Sequence, residues 1–346
     1  MRQKIVYLFA FLSLYLPINV PKVVAQEVSQ QETTYQISQR PDTDNPTEVA
    51  VGVYLIDFDT FDEIDESFKL NGYLFLTWQD QRLAFNPSQT AVNSKTYNIG
   101  EIWTPNIKFL NIESVRETAY ILLKVEPDGT VYYKERFTGQ FNSEMNLQRF
   151  PFDRQRLRVI VESLDNSKNL VLLADNSKTG TAKDAFLTGW RIRDFQAFPR
   201  VRVSEVEEEN FSEYVYEINI SRYHNPYIWN VFLPLFFIII VSWTVFWSRS
   251  FESNTVIATS SLVSAIAFNI VVVEELPKVA YLTFINGFIL IVYVFICLVI
   301  IYTVVKHWLD LEKKKELSLK IDRTARWLVP AVFSVSNIIL IAAFLL

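Results

Sequence analysis

The chain has 346 residues, half of them hydrophobic, and carries a formal net charge of -5. This length has room for about two domains, and without an excess of basic charge nucleic acid is not expected as a partner. No HExxH, P-loop, GxSxG or CxxC motif is present, and the two histidines lie far from any metal-ligand spacing. We therefore predict a protein that is not an enzyme and holds neither a cofactor nor a metal.

The N-terminus has the pattern of a secretory signal peptide. Arg2 and Lys4 precede an apolar core, Ile5–Leu16, which is short for a membrane span and is followed by small residues suited to cleavage. We predict a signal peptide over residues 1–25, and the clustered Gln, Ser, Thr, Asp and Pro of residues 26–47 predict a flexible leader. The domain after this leader is expected to be exported.

Residues 48–224 have the texture of a β domain. Runs rich in β-branched and aromatic residues, several of them alternating, predict strands. These runs are Val51–Phe58, Phe68–Gln79, Ala119–Val125, Thr130–Phe137, Leu157–Leu164, Leu170–Ala174, Trp190–Phe195 and Val215–Ile220. Glu126-Pro127-Asp128-Gly129 predicts a hairpin turn, since Pro suits its first corner and Gly tolerates a positive φ. Many short strands without helical periodicity predict an immunoglobulin-like antiparallel β-sandwich.

Residues 225–346 contain four apolar segments, which predict a four-helix membrane domain. The predicted spans are about 226–248, 253–273, 279–305 and 324–346, with a short cytoplasmic loop at 306–323. That loop has more Lys and Arg than Asp and Glu, as the positive-inside rule requires. The chain is therefore expected to be a multi-pass membrane protein with the β domain and the C-terminus outside.

The second predicted span carries an unusually polar face. Steps of four and three residues place these side chains together: Glu252, Val256, Ser260, Val263, Ala267 and Ile270. Lipid offers no partner to a carboxylate or a hydroxyl, so such a face turns toward protein or water. Small and hydroxyl residues are also enriched where membrane helices pack together. The residues alone leave both pore lining and helix packing open.

Several motifs then point to a family. Trp103-Thr104-Pro105 matches a WxP motif, Phe150–Gln155 matches an FPFDxQ motif, Pro234 falls within the first span, and Leu276-Pro277-Lys278 follows the second. In this order, the motifs and the layout resemble the pentameric ligand-gated ion channels.

The resemblance is to the prokaryotic branch. In animal receptors two cysteines close the FPFD loop, and Ser143 and Leu157 stand at their positions here. The resemblance is greatest to the family's bacterial proton-gated cation channels, in the runs Lys95–Tyr97, Pro127–Val131, Phe186–Trp190, Ile220–Arg222 and Ile266–Ile270. It implies a homopentamer in the bacterial inner membrane whose N-terminal domain and C-terminus face the extracellular side. The implied partners are four identical subunits, monovalent cations, membrane lipids, and protons or a small agonist.

The resemblance also implies roles for the polar face. Glu252 would form an acidic ring at the cytoplasmic mouth that selects cations, and Ser260 would form a hydroxyl ring above it. Val263, Ala267 and Ile270 would form an apolar gate. Val256 stands where the bacterial relatives carry a hydroxyl, so this chain is expected to have an apolar constriction near the cytoplasmic end.

A further set of residues is implied for coupling the two domains, although a surface ion pair remains the alternative. These residues are Asp62, Glu63, Asp153, Arg222, Pro277 and Lys278. Asp57 and Glu66 are proton-sensing candidates, provided that burial or like charge raises their pKa. Ligand-site candidates are Lys108 and Arg136 for a carboxylate, and Glu207 and Glu208 for an amine. The main alternative is thus the same channel gated by a small amine or carboxylate, and a more remote one is a β-sandwich sensor that acts through a partner protein without conducting.

Overall fold

The computed structural model describes residues 37–274 and 279–345, in which a β-rich half precedes a helical half. The predicted signal peptide and residues 26–36 of the predicted leader lie outside these ranges. Residues 37–46 contact the sandwich, because Trp103 donates its backbone N–H to the Ile37 carbonyl and Arg40 donates to the Asn169 carbonyl. The described end of the leader is thus held by hydrogen bonds, although its composition predicted a flexible segment.

The β half is a sandwich of two sheets, as predicted. Its strands are β1 (Thr47–Asp62), β2 (Ser67–Gln79), β3 (Lys95–Tyr97), β4 (Ile107–Phe109), β5 (Glu117–Val125), β6 (Thr130–Asn142), β7 (Arg154–Asn166), β8 (Leu170–Ala174), β9 (Gly180–Thr181), β10 (Trp190–Ser204) and β11 (Glu209–Arg222). One sheet has the order β3-β5-β6-β2-β1-β8 with β9 beside β1, and the other has the order β10-β11-β7-β4. Neighbours are antiparallel except that β8 and β9 run parallel to β1.

All eight predicted strands are present, and most extend beyond the predicted runs. Burial alternates without interruption along β6, so every second side chain enters the core and the others face away. The predicted hairpin turn is also present: Gly129 has a φ of +85° and donates its N–H to the Glu126 carbonyl. A Cβ at Gly129 would lie 2.5 Å from the Asp80 carbonyl oxygen, so only glycine fits there.

The helical half consists of α1 (Asn225–Phe246), α2 (Phe251–Glu274), α3 (Phe284–Leu311) and α4 (Lys315–Leu345). Each of these four helices is long and apolar enough to cross a membrane. Within α1, a π-helical turn at Ile228–Phe232 precedes Pro234, whose missing N–H interrupts the regular hydrogen-bond ladder.

The helix ends differ from the predicted spans. The segment 306–323, predicted as a loop, belongs mostly to α3 and α4, which leaves only residues 312–314 to connect them. Hydropathy marks the apolar part of a helix, whereas Lys, Glu and Arg also favour helix and continue it beyond that part. Conversely, α3 begins at Phe284 rather than near residue 279, after Thr283, whose Oγ1 accepts a hydrogen bond from the Asn286 N–H.

Each half has its own hydrophobic core, and one loop joins them. Two residues of the loop between β6 and β7, Leu147 and Phe150, are buried in the core formed by the helices. Met145 of the same loop is buried in the core of the β domain, so the loop packs into both cores.

Candidate functional site

A buried ion-pair cluster lies where the last strand meets the first helix. The Arg222 guanidinium donates to Asp153 Oδ1 through Nε at 2.7 Å and to both Glu63 carboxylate oxygens through Nη1 and Nη2, at 2.7 and 2.8 Å. The side chains of Arg222 and Asp153 are only 4% and 1% exposed, and Glu63 is 20% exposed. Three of the predicted coupling residues thus meet in one cluster, and the depth of their burial is not that of a surface ion pair.

The surroundings of this cluster hold it in the charged form. Burial by itself would lower the pKa of Arg222, but the hydrogen bonds and charges of Glu63 and Asp153 outweigh it and raise the pKa. The guanidinium also lies 4.2 Å from the ring centroid of Trp190 and 4.5 Å from that of Phe150. Arg222 is therefore a permanent cation fixed by four side chains.

The loop that carries Asp153 also contacts the helices. The Phe152 ring lies 5.5 Å from the Phe284 ring at the start of α3 and 6.2 Å from the Phe232 ring in α1. In addition, Phe284 donates its N–H to the Gln148 carbonyl, and the Tyr281 hydroxyl accepts from the Leu147 N–H. Any displacement of this loop therefore reaches two helices directly.

Of the remaining predicted coupling residues, the structure describes Asp62, which is not part of the cluster. Asp62 is exposed, and its carboxylate accepts hydrogen bonds from the N–H groups of Ile64 and Asp65 in its own turn. Pro277 and Lys278 lie outside the described residues. Sequence reasoning missed Gln155, which donates to Asp153 Oδ2 at 2.7 Å; its place in the FPFDxQ motif was the available signal.

The polar face of α2 is exposed along its whole length in the single chain. Its members Glu252, Val256, Ser260, Val263, Ala267 and Ile270 are all exposed or partly exposed. The buried residues of the same helix are Asn254, Ala258, Ser261, Ala265 and Val272. At about 100° per residue the two sets lie on opposite sides of the helix. Helices α1 and α3 therefore pack against the small side of α2 and leave the predicted pore face free.

The proton-sensing candidates lie in exposed positions. Asp57 Oδ1 accepts hydrogen bonds from the backbone N–H groups of Phe58 and Phe186, and its side chain faces solvent. Glu66 is also exposed, with a positive φ of 49° in the turn between β1 and β2. Neither carboxyl is buried, so of the two conditions stated for these candidates, burial or like charge, burial is not met.

The ligand-site candidates are spread over the sandwich. Lys108 on β4 forms an ion pair with Glu162, whereas Arg136 lies on the other sheet, with its Nε 3.5 Å from Asn71 Oδ1. Glu207 and Glu208 lie in the exposed turn between β10 and β11. Within one chain these residues do not converge on a single site.

A second set of buried charges was not predicted. Glu162 and Glu213 are almost fully buried on neighbouring strands, and each forms ion pairs with Arg202; Glu162 also pairs with Lys108, and Glu213 with Arg200. Burial would raise the pKa of Glu162, but the hydrogen bonds from Arg202 and Lys108 prevail and lower it. No signal in the sequence distinguishes these glutamates from the solvent-facing residues of an alternating strand.

The sequence is similar to those of known ion channels along most of the chain. A family model described as the neurotransmitter-gated ion-channel ligand binding domain matches residues 25–224. The chain is 40% identical over 306 residues to the proton-gated ion channel of Gloeobacter violaceus, covering 88% of this chain and 85% of that one. It is 22% identical to the human gamma-aminobutyric acid receptor subunit gamma-3, covering 85% and 66% of the two chains. It is 27% identical to the pH-sensitive chloride channel 2 of Anopheles gambiae, covering 69% of this chain and 42% of that one.

Proposed function

Because this chain belongs to the pentameric ligand-gated ion channels, in their prokaryotic branch, we propose that five copies of it form a cation-selective channel opened by extracellular protons. The proposal places the pentamer in the bacterial inner membrane, with the β-sandwich and the C-terminus outside. The resemblance to a proton-gated relative over most of both chains supports protons as the agonist.

The observation that carries the proposal is the exposed polar face of α2. A membrane-spanning helix that leaves a carboxylate and a hydroxyl uncovered needs water or protein against them. Five such faces around one axis would enclose a water-filled pore, and that water would contact the carboxylate and the hydroxyl. Val263 and Ile270, which are 66% and 59% exposed in the single chain, then form apolar rings that stop ions by losing water when the pore narrows.

Charge selection rests on Glu252 at the start of α2, where five carboxylates attract cations and repel anions. Among the relatives is a channel named for chloride, so selectivity needs its own measurement. One turn further along α2, Val256 is 63% exposed on the same face, and a ring of five valines there restricts conductance.

Opening is transmitted through the cluster of Arg222, Asp153 and Glu63. The cluster ties the loop between β6 and β7 to the last strand, and Phe152 of that loop contacts α1 and α3. A change in the sandwich therefore moves helices that pack against α2.

Protons open the channel if the open state binds more of them than the closed state does. The proposed sensors are carboxylates other than Glu162 and Glu217. Burial would raise the pKa of each of these two glutamates, but hydrogen bonds from their neighbours prevail and lower it, which disfavours proton binding there. Asp57 and Glu66 remain the proposed proton-binding residues.

A second candidate function is the same channel gated by a small carboxylate. Lys108, Arg200 and Arg202 surround the two buried glutamates, which gives three cationic side chains to two carboxylates beside the exposed turn that carries Glu207 and Glu208. A carboxylate ligand bound there would lie beside the tip of a hairpin.

Recordings from oocytes test these proposals. We expect inward current when the bath changes from pH 7.5 to about pH 4–5, and loss of that current when a large cation replaces sodium. A reversal potential that follows chloride would overturn cation selectivity. Silence at every pH, with current evoked by a carboxylate, would favour the second candidate; silence with both in protein labelled at the cell surface would point to a sensor that does not conduct.

A further inference from the structure

The outer face of the smaller sheet changes its charge along the strands. On β7 the residues Gln155, Leu157 and Val159 are buried, so Arg154, Arg156 and Arg158 point away from the core. The register aligns them with neighbours on β11 and β10 in three rows. These rows are Arg158–Glu217–Gln196, Arg156–Asn219–Asp194 and Arg154–Ser221–Arg191.

The arginine of the first row is paired with a carboxylate, whereas the arginines of the last row are not. Glu217 accepts hydrogen bonds from Arg158 and Gln196, both at 2.8 Å. In the second row Asp194 accepts from Asn219. The third row contains no acidic residue.

Three arginines in these rows are left without an ionic partner among the described residues, and one of them, Arg191, packs over the Tyr223 ring. Neither Arg154 nor Arg156 has a carboxylate within 4 Å in the part of the chain that the structure describes. Nearby, Arg193 uses its Nε to donate to Ser221 Oγ at 2.7 Å, which leaves its two terminal nitrogens available. The first two rows each hold one arginine and one carboxylate, whereas the last holds two arginines and no carboxylate, so the positive excess of the sheet face lies in the row nearest the membrane domain.

A groove of about 1210 Å³, which we call the arginine groove, lies at the end of the sandwich nearest the helices. Its lining includes Arg154, Arg156, Arg158 and Arg193. Five arginines and three carboxylates line it. Of these carboxylates, Asp153 is paired with Arg222, Asp194 accepts a hydrogen bond from the neutral Asn219, and the third is Glu144. Leu345, at the end of α4, also lines the groove, so the groove opens beside the outer end of a helix that is apolar enough to span the membrane.

We propose that the arginine groove binds a phosphate group through Arg154, Arg156 and Arg193. The planar guanidinium presents parallel N–H donors that match the oxygens of a phosphate, and unpaired arginines on a rigid sheet are already oriented for it. Arg156 makes no hydrogen bond to Glu217, which accepts from Arg158 and Gln196 instead. It is therefore free to bind an anion. The phosphate belongs either to an anionic phospholipid of the outer leaflet or to a soluble phosphate ester.

Two binding measurements on the full-length protein distinguish these sources. In the first, the protein is reconstituted in nanodiscs of phosphatidylcholine with or without phosphatidylglycerol, and the lipid retained after detergent extraction is counted by native mass spectrometry. In the second, glycerol phosphate is titrated into the protein in phosphatidylcholine nanodiscs, and the heat of binding is measured by calorimetry. The variants are the pair Arg154→Gln with Arg156→Gln, the single Arg156→Lys, and Lys168→Gln, an exposed charge removed outside the groove.

We expect the double variant to bind phosphatidylglycerol or glycerol phosphate at least tenfold more weakly, and Lys168→Gln to bind like the natural chain. Arg156→Lys keeps the positive charge but loses the parallel N–H donors of the guanidinium, so an intermediate affinity is expected. This variant tests the proposal even if the double variant folds poorly. Retention in the first measurement alone identifies a lipid, and heat in the second identifies a soluble ester. Equal binding by the double variant, or binding of neither phosphate compound by the natural chain, overturns the proposal. The second measurement does not depend on whether the protein conducts.

Discussion

Removing the positive charge at Arg222 is expected to uncouple the two domains. Arg222→Gln leaves Asp153, whose side chain is 1% exposed, with Gln155 as its remaining side-chain donor at 2.7 Å. Breaking one partner of a buried pair costs about 3–5 kcal/mol, because the other charge stays buried. In Arg222→Gln with Asp153→Asn the most deeply buried charge is gone and only Glu63, which is 20% exposed, loses its ionic partner, so the double variant should be less impaired than the sum of the two singles.

The assay is a double-mutant cycle on proton activation, with surface labelling to correct for expression. We expect a coupling free energy of at least about 1.4 kcal/mol, a tenfold change in the closed–open equilibrium. Lys69 and Asp59, paired at 3.1 Å on the surface, provide a matched cycle in which the effects should add. Effects of Arg222 and Asp153 that add within about 0.5 kcal/mol would refute a role for this cluster in transmission.

Four further changes test the pore and the sandwich. Val263→Ser should raise the current at pH 7.5, because a hydroxyl keeps water in the apolar ring; an unchanged resting current would contradict a gate there. Glu252→Gln should reduce the permeability ratio of sodium over chloride, and a ratio equal to that of the natural chain would place selectivity elsewhere. Val256→Ser should increase single-channel conductance without shifting proton activation. Burial would raise the pKa of Glu162, but hydrogen bonds from Arg202 and Lys108 lower it overall. The stability that this ionised glutamate contributes is therefore present above about pH 4.3, the usual pKa of a glutamate, and is lost as the pH falls further. Glu162→Gln should therefore flatten the decline of thermal stability below about pH 4.3, and an identical decline would contradict this.

Much of the fold was predictable because its strands and helices are periodic. The eight long strands show β-branched or aromatic runs, whereas β3, β4 and β9, of two or three residues, are too short for a pattern. The predicted strand from Trp190 to Phe195 continues to Ser204 through Pro199. A proline predicts the end of a strand, but β10 is the edge of its sheet, where the missing N–H costs no ladder bond.

The site was predictable where a residue's chemistry and place in a motif agree. Arg222, Asp153 and Glu63 lie far apart in sequence, and only the resemblance connected them. The burial of Glu162 and Glu213 could not be predicted, because it depends on arginine side chains that reach across from β10. Asp57 and Glu66 were chosen by position, and their exposure follows from strand edges and turns that sequence patterns locate only to within a few residues.

The short connection between the halves also determines where this protein can be cut and rejoined. Only Tyr223 and His224 separate the end of β11 from the start of α1. A chimera joined at this point takes Glu63, Asp153 and Arg222 from one parent, so the buried ion pairs between them are kept. The aromatic contact of Phe152 with α1 and α3 is instead assembled from two parents. Such hybrids would therefore test whether the contacts of the loop between β6 and β7 with the helical half, namely the Phe152 ring and the hydrogen bonds of Leu147 and Gln148, determine communication between the two domains.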